Sequence, residues 1–215
     1  MNWPHLNILA VDTAMNACGV GIRRNDGMFF SNMELMERGQ AERLMPMILE
    51  LVKAADLTLA DIGAYAVTNG PGTFTGLRVG LSTVRALAQA SGKRAHGIST
   101  FDALADAAGE GNNCILIETK RTDYYVRAPG QPDQCMSPDD LRAIIRDDWI
   151  LVGDAVGRAI TELGLPNKAK PFTSVPPEYL IARAQQMTEG GLPEPVYLRG
   201  ADVSIARKKA ANIVG

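Results

Sequence analysis

Hydrophobic positions in this chain first fall in short runs. Residues 6–11 are nearly all apolar, end at Asp12-Thr13 and predict a buried strand. Residues 18–22 and 28–33 run apolar or alternate around Arg24-Asn25-Asp26-Gly27, a turn signal that predicts a hairpin. Over 40–55 the apolar spacing becomes helical. A short turn then covers 57–62, with Thr58 or Asp61 placed to start it, and a strand covers 64–68. The segment Asn69-Gly70-Pro71-Gly72-Thr73-Phe74-Thr75-Gly76-Leu77-Arg78-Val79-Gly80 leads from that strand into a helix over 75–91, which Gly92 stops. A strand over 95–98 reaches Ser99 and Thr100, whose hydroxyls can cap a helix running to about residue 108. The polar, glycine-rich stretch 109–113 is the natural boundary, giving domains at 1–108 and 109–215.

The second half repeats the plan of the first. A strand over 114–117 ends at Glu118-Thr119, as the first ended at Asp12-Thr13, and a β-segment follows at 124–127. A strand over 149–152 ends at Gly153-Asp154 and enters a helix over 155–163, echoing strand, Gly70, helix. Internal duplication of an α/β unit is the expectation. Two facing lobes would leave a cleft lined by their strand ends. Asp12, Thr13, Gly70, Gly72, Glu118, Gly153 and Asp154 are therefore the candidate nucleotide-binding residues, the acids holding a metal-bound water and the threonines and N–H groups a phosphate. The alternative is that Asp12 and Glu118 merely end strands and cap turns.

The glycine segment fails two common motifs. A P-loop needs Lys and Ser or Thr after its last glycine, and Gly76 is followed by Leu77 and Arg78. A dinucleotide fingerprint needs G-x-G-x-x-G and an acid ending the next strand, whereas the spacing here is one residue longer and that strand leads to Ser99. What remains is a turn suited to anion binding or to tight docking of another backbone.

Helices 40–55 and 75–91 carry more apolar surface than one sheet face needs. At about 100° per residue, the apolar side chains of the first cover roughly 220° of arc, where about 100° serves a core. Pro46 within it removes one backbone bond. The excess predicts an exposed interface. Its candidate residues are Leu44, Met45, Met47, Ile48 and Leu51 on the first helix, and Leu77, Arg78, Leu81, Val84 and Arg85 on the second. Burial within the chain itself is the competing reading.

Composition narrows the function classes. The 215 residues suffice for a real core, and 46% hydrophobic with 21% charged residues is ordinary for a globular chain. A net charge of −2 argues against this chain as the main nucleic-acid-binding surface. Cys18, Cys114 and Cys135 form neither a disulfide framework nor a zinc knuckle, and with only His5 and His96 there is no metalloprotease ligand set. No secretory leader or membrane-length apolar run is present, so the expectation is a cytoplasmic protein. Arg207, Lys208 and Lys209 read as a solvated tail.

With these pieces in hand, the chain resembles the TsaB (YeaZ) family of tRNA threonylcarbamoyladenosine biosynthesis proteins. The resemblance rests on Ile8-Leu9-Ala10-Val11-Asp12-Thr13, Glu42-Arg43-Leu44-Met45-Pro46, Gly70 to Leu81, Ser99-Thr100-Phe101-Asp102-Ala103-Leu104 and Pro195-Val196-Tyr197-Leu198-Arg199. It covers the first 105 residues well and the rest loosely. It implies an α/β, actin/Hsp70-like (ASKHA) nucleotidase fold with two related lobes. It also implies a non-catalytic scaffold, with no cofactor of its own, pairing with a TsaD-like catalytic paralogue and a TsaE-like ATPase. Docking would use the two helices just described, which can also support a homodimer when the chain is alone. ATP would sit, if anywhere, at the complex interface, and tRNA would be met only through the complex. Many relatives carry His-Ser where this chain has Gln40-Ala41, and Asp-Ala-Arg where it has Glu118-Thr119-Lys120. An independent ATP-dependent phosphotransferase of the same fold is the rival reading, with Asp12, Glu118 and Asp154 as its acids.

Overall fold

A computed structural model describes residues 5–187 and 191–198. The first half runs β1 (Asn7–Asp12), β2 (Ala17–Arg23), β3 (Phe29–Leu35), α1 (Gln40–Ala54), β4 (Ile62–Gly70), α2 (Phe74–Ser91), β5 (Arg94–Ser99) and α3 (Thr100–Ala108). The second runs β6 (Asn113–Glu118), β7 (Tyr124–Arg127), β8 (Gln134–Met136), α4 (Pro138–Ile144), β9 (Ile150–Gly153), α5 (Val156–Leu163), β10 (Lys168–Pro171) and α6 (Pro177–Gln186).

The two sheets share one topology. Their orders are β3-β2-β1-β4-β5 and β8-β7-β6-β9-β10, with the first three strands antiparallel and the last two parallel additions. The repeat expected from Asp12-Thr13 and Glu118-Thr119 is thus matched element by element, and the fold is the actin/Hsp70-like α/β arrangement. Central strands β1 and β4 are apolar on both faces because helices cover both: α1 and α2 on one side, α6 on the other.

Local signals explain the element ends. Thr58 and Asp61 form a reciprocal capping box on a single 3₁₀ turn, Leu59–Asp61. The Ser99 side chain accepts from the Asp102 N–H at the start of α3. Gly92 closes α2 in the left-handed region at φ 66°. Helix α1 stays continuous through Pro46, whose ring faces outward.

One boundary needs correcting. The tail of the expected second domain, 109–215, does not stay with its own sheet. Helix α6 packs on β1, β2, β4 and β5, and Gly191 bridges Ala95 of β5. The first core accordingly includes Ile115, Ile117 and Val152 from the second sheet and Leu180, Ile181 and Ala184 from α6. A separate core lies on the far face of the second sheet, around Leu116, Tyr124, Leu141, Leu151 and Val156.

Candidate functional site

The glycine segment is a docking device between two stretches of backbone. The Thr13 hydroxyl donates to the Gly76 carbonyl at 2.7 Å, and the Thr73 N–H donates to the Ala14 carbonyl at 2.7 Å. A Cβ on Gly72 would lie 2.5 Å from the Ala14 carbonyl oxygen, and one on Gly76 would overlap the Thr13 carbonyl. Helix α2 begins pressed onto the β1–β2 turn, and only glycine permits that approach. Gly70, at φ 122°, is crowded in the same way by Val196, whose N–H donates to the Asn69 carbonyl at 2.7 Å. Of the two uses left open by the sequence, tight docking holds. Thr13, Gly70 and Gly72, the residues expected toward a phosphate, are here packed against backbone.

Asp12 is sealed as well. Its carboxylate accepts from Ala14 N–H at 3.0 Å, the Thr68 hydroxyl at 2.9 Å and Val175 N–H at 2.8 Å, with no exposed surface. Burial pushes its carboxyl up, and the three hydrogen bonds oppose that. Val175 lies just before α6, so the helix that crosses from the second half also closes the first strand end. An acid enclosed this way ends a strand and organises a turn.

The equivalent place in the second lobe is filled by an arginine. Arg158 on α5 binds Glu118 at 2.6 Å, donates to the Thr122 and Asp123 carbonyls, and stacks 3.7 Å above the Tyr124 ring. Asp154 accepts from the Glu118 N–H at 2.8 Å. Its carboxyl is pushed up to about 6, chiefly by burial and further by the Glu118 charge. Gly153, at φ 119°, packs against the Leu116 carbonyl. The seven candidate residues therefore form two separate clusters, the first closed by Val175 and Val196 arriving from the second half and the second held by Arg158 within its own lobe. Among the described residues no His, Cys, Asp and Glu group of three is placed to hold a metal ion.

The helical interface also needs correction. Leu44, Met47, Ile48, Leu51, Leu77, Leu81 and Val84 are buried, covered by their own chain. Their stripe faces the sheet, which consumes more of the apolar arc than a single core stripe would. Met45 is half-buried, and Arg78 and Arg85 keep access to solvent. Two apolar residues missing from the expected set stand furthest out: Leu49, 50% exposed, and Phe74, 53% exposed. The signal for Leu49 was available, because Met45 and Leu49 form an i,i+4 pair outside the core stripe. Phe74 carries the Arg78 guanidinium 3.7 Å above its ring and stacks at 5.6 Å on Tyr197. Arg85 pairs with Glu194 at 3.0 Å, so the segment 191–198 borders this face.

Beside the outward helical face lies a groove of about 770 Å³. The starts of α1 and α2 line it with Arg38, Ala41, Phe74 and Thr75, and the β6–β7 turn with Lys120 and Arg121. The remaining sequence expectations are quickly placed. Cys18 and Cys114 are buried, with thiols pushed up to about 11 and about 12 by burial, and His96 is buried in β5. Arg199, Arg207, Lys208 and Lys209 lie outside the described residues. Among the described residues no helix is long and apolar enough to cross a membrane.

Comparison with known proteins bears on this geometry. The family model for TsaD, tRNA N6-adenosine threonylcarbamoyltransferase, matches residues 33–157. The Escherichia coli tRNA threonylcarbamoyladenosine biosynthesis protein TsaB is 36% identical over 112 residues, which span 52% of this chain and 48% of that protein. The Haemophilus influenzae protein of the same description is 29% identical over 227 residues, 91% of this chain and 94% of that one. Over the first of these the chain thus spans about half of its curated relative. The solved structure of YeaZ from Pseudomonas aeruginosa superposes with a TM-score of 0.77 at 26% identity, covering 90% of this chain and 100% of that chain.

Proposed function

Because this chain belongs to the TsaB/YeaZ family of tRNA threonylcarbamoyladenosine biosynthesis proteins, we propose that it is the non-catalytic scaffold of a tRNA-modifying complex. It works in the cytoplasm beside a TsaD-like catalytic subunit and a TsaE-like ATPase, and meets tRNA only through them. The observation that carries this reading is the enclosure of Asp12 by Ala14, Thr68 and Val175, which leaves the first strand end without an acid open to a ligand. Arg158 filling the matching turn of the second lobe supports it. The rival phosphotransferase would need both places open.

The docking surface is the outward side of α1 and α2, centred on Met45, Leu49 and Phe74 with Arg78 at its edge. Exposed Leu, Met and Phe beside a stacked arginine have the composition of an interface centre. A nucleotide at the complex interface would meet the adjoining 770 Å³ groove. The test is co-purification of a TsaD-like subunit with tagged chain carrying Leu49→Glu or Phe74→Glu. We expect at least a tenfold loss of capture with an unchanged melting temperature. Undiminished capture, or brisk ATP turnover by the isolated chain, overturns the reading.

A further inference from the structure

Residues 191–198, the last described stretch of the chain, lie as a strap between β5 and the start of α2. Its attachments are made mainly by backbone. Gly191 bridges Ala95 of β5, and the Val196 N–H donates to the Asn69 carbonyl at 2.7 Å. The Val196 carbonyl oxygen sits where a Cβ at position 70 would fall, so Gly70 is what admits it. Asn69 Nδ2 and the Arg85 guanidinium donate to the Glu194 and Pro193 carbonyls at 3.3 and 3.4 Å. Two side chains help: Pro193 is buried, and Leu198 packs against the first core. Pro193 and Pro195, on either side of Glu194, restrict the backbone between the attachments.

The strap's other large apolar side chains are left to solvent. Leu192, Val196 and Tyr197 are each 45% exposed. A segment tied down through its backbone, with its apolar groups outside, adds little to the core; contiguous apolar surface of this kind marks an interaction site. Tyr197 is continuous with such a surface, because it stacks at 5.6 Å on Phe74. Between the strap and α2 runs a trough of about 970 Å³. Apolar Phe74, Pro195 and Tyr197 line it together with polar Arg78, Ser82 and Arg85. Glu194 neutralises Arg85 at 3.0 Å. Arg78 lies over the Phe74 ring and, among the described residues, is paired with no carboxylate.

We infer that the strap is the second wall of a composite docking surface, whose trough takes a ridge of the TsaD-like catalytic subunit bearing an apolar side chain beside a carboxylate. Tyr197 and Phe74 hold the apolar group, and Arg78 receives the carboxylate in a charge-assisted hydrogen bond. The occupant follows from continuity. Phe74 belongs both to the trough and to the outward side of α1 and α2, so a partner seated on those helices reaches the strap. Charge agrees with it, since Arg78 is the cation left without an acid. The inference rests on the proposed scaffold role and extends its docking surface from two helices of the first lobe to a segment that arrives from the second half. It also gives Gly70 a purpose at a distance: by admitting Val196 it sets Tyr197 beside Phe74.

Co-expression of the TsaD-like subunit with the tagged full chain tests it. Tyr197→Ala should lower capture at least about tenfold with an unchanged melting temperature. Tyr197→Phe should keep capture within about twofold, because ring stacking needs no hydroxyl. In the purified complex, photo-crosslinking from Tyr197→p-benzoylphenylalanine should join the two subunits. Capture abolished by Leu49→Glu but unchanged by Tyr197→Ala overturns this inference and leaves the scaffold reading standing, whereas capture unchanged by both overturns the two together. A crosslink to any other polypeptide, or only within the chain itself, also overturns it, and this measurement decides if Tyr197→Ala lowers the melting temperature. A chain ending at Leu198 that captures about tenfold better than the full chain overturns it too, because residues 199–215 would then occupy the trough.

Discussion

Asp12 ends β1 and Asp154 directly follows β9, and burial and hydrogen bonding treat the two carboxyls differently. Burial, reinforced by the Glu118 charge, raises the Asp154 carboxyl to about 6 from the ordinary 3.8, while the bond it accepts from the Glu118 N–H opposes the rise. The folded chain then holds this proton more tightly than the unfolded chain does. Stability from this group is full below about pH 4 and declines as pH rises through about 6. The full shift corresponds to about 3 kcal/mol, and residual solvent access at Asp154 reduces this to about 1–2 kcal/mol. Asp154→Asn keeps the accepting oxygen and removes the charge. We expect it to stabilise the protein by about 1 kcal/mol at pH 7.5, and to flatten that part of the pH profile in denaturant titrations. Asp12→Asn should do the reverse. Both oxygens of Asp12 accept, from Ala14 and Thr68 on one and Val175 on the other, and an amide nitrogen cannot accept from an N–H. A loss of about 2–3 kcal/mol is the expected outcome of the same titration.

At the scale of elements, the two helices of the first lobe divide cleanly into a sheet side and an outer side. Leu81 on α2 is 4% exposed and Leu49 on α1 is 50% exposed, though the sequence gives both the same apolar character. Leu81→Ala should cost about 2–4 kcal/mol in chemical denaturation and Leu49→Ala less than about 0.5 kcal/mol. If the two costs are equal, the assignment of sides is wrong. Periodicity alone revealed that these helices exist and that they are too apolar for a one-sided surface helix. It could not reveal which leucines face the sheet, because an arc that wide has no unique inward direction. Elements with strong local signals were legible: the Thr58–Asp61 box, the Ser99 cap, the glycine turn and every central strand. Four others were not. Strand β8 is three residues long, β10 is Lys-Ala-Lys-Pro with every residue exposed, and α4 and α6 are short helices opened by prolines. A strand without apolar alternation leaves no period to read. The Ser137-Pro138-Asp139-Asp140 start of α4 did carry cap chemistry, with Ser137 accepting from the Asp140 N–H. The surroundings of the candidate site were not legible for a related reason. A strand-end acid and a glycine turn look alike in sequence whether they face a ligand or their own backbone, and only the arrival of Val175 and Val196 from far along the chain decides between them.

Those long-range arrivals also make the two lobes one molecule. Helix α3 leaves the first sheet and packs against β6 and β9, while α6 returns from the second half to the first sheet. Their junction carries an ion network. Arg127 on β7 binds Asp133 through two nitrogens and reaches Asp102 on α3 at 2.5 Å, and Arg183 on α6 grips both oxygens of Asp106. Lys170 on β10 adds a bond to the Ala108 carbonyl at 2.7 Å. In enzymes that work by closing two lobes on a ligand, such a lock would have to open in every cycle. A scaffold has no such need and can keep its lobes fixed. The Arg127 and Asp102 side chains are 28% and 38% exposed, so screening limits their coupling to about 1 kcal/mol. A double-mutant cycle on Arg127→Ala and Asp102→Ala, read by chemical denaturation, should return that coupling at low salt and lose most of it at about 1 M salt. Arg127→Ala should also raise amide hydrogen exchange in both α3 and β7 while leaving α2 protected, since α2 is held by the glycine turn rather than by the junction. Exchange confined to β7 would mean that the ions decorate the junction and that the shared apolar core alone holds the lobes together.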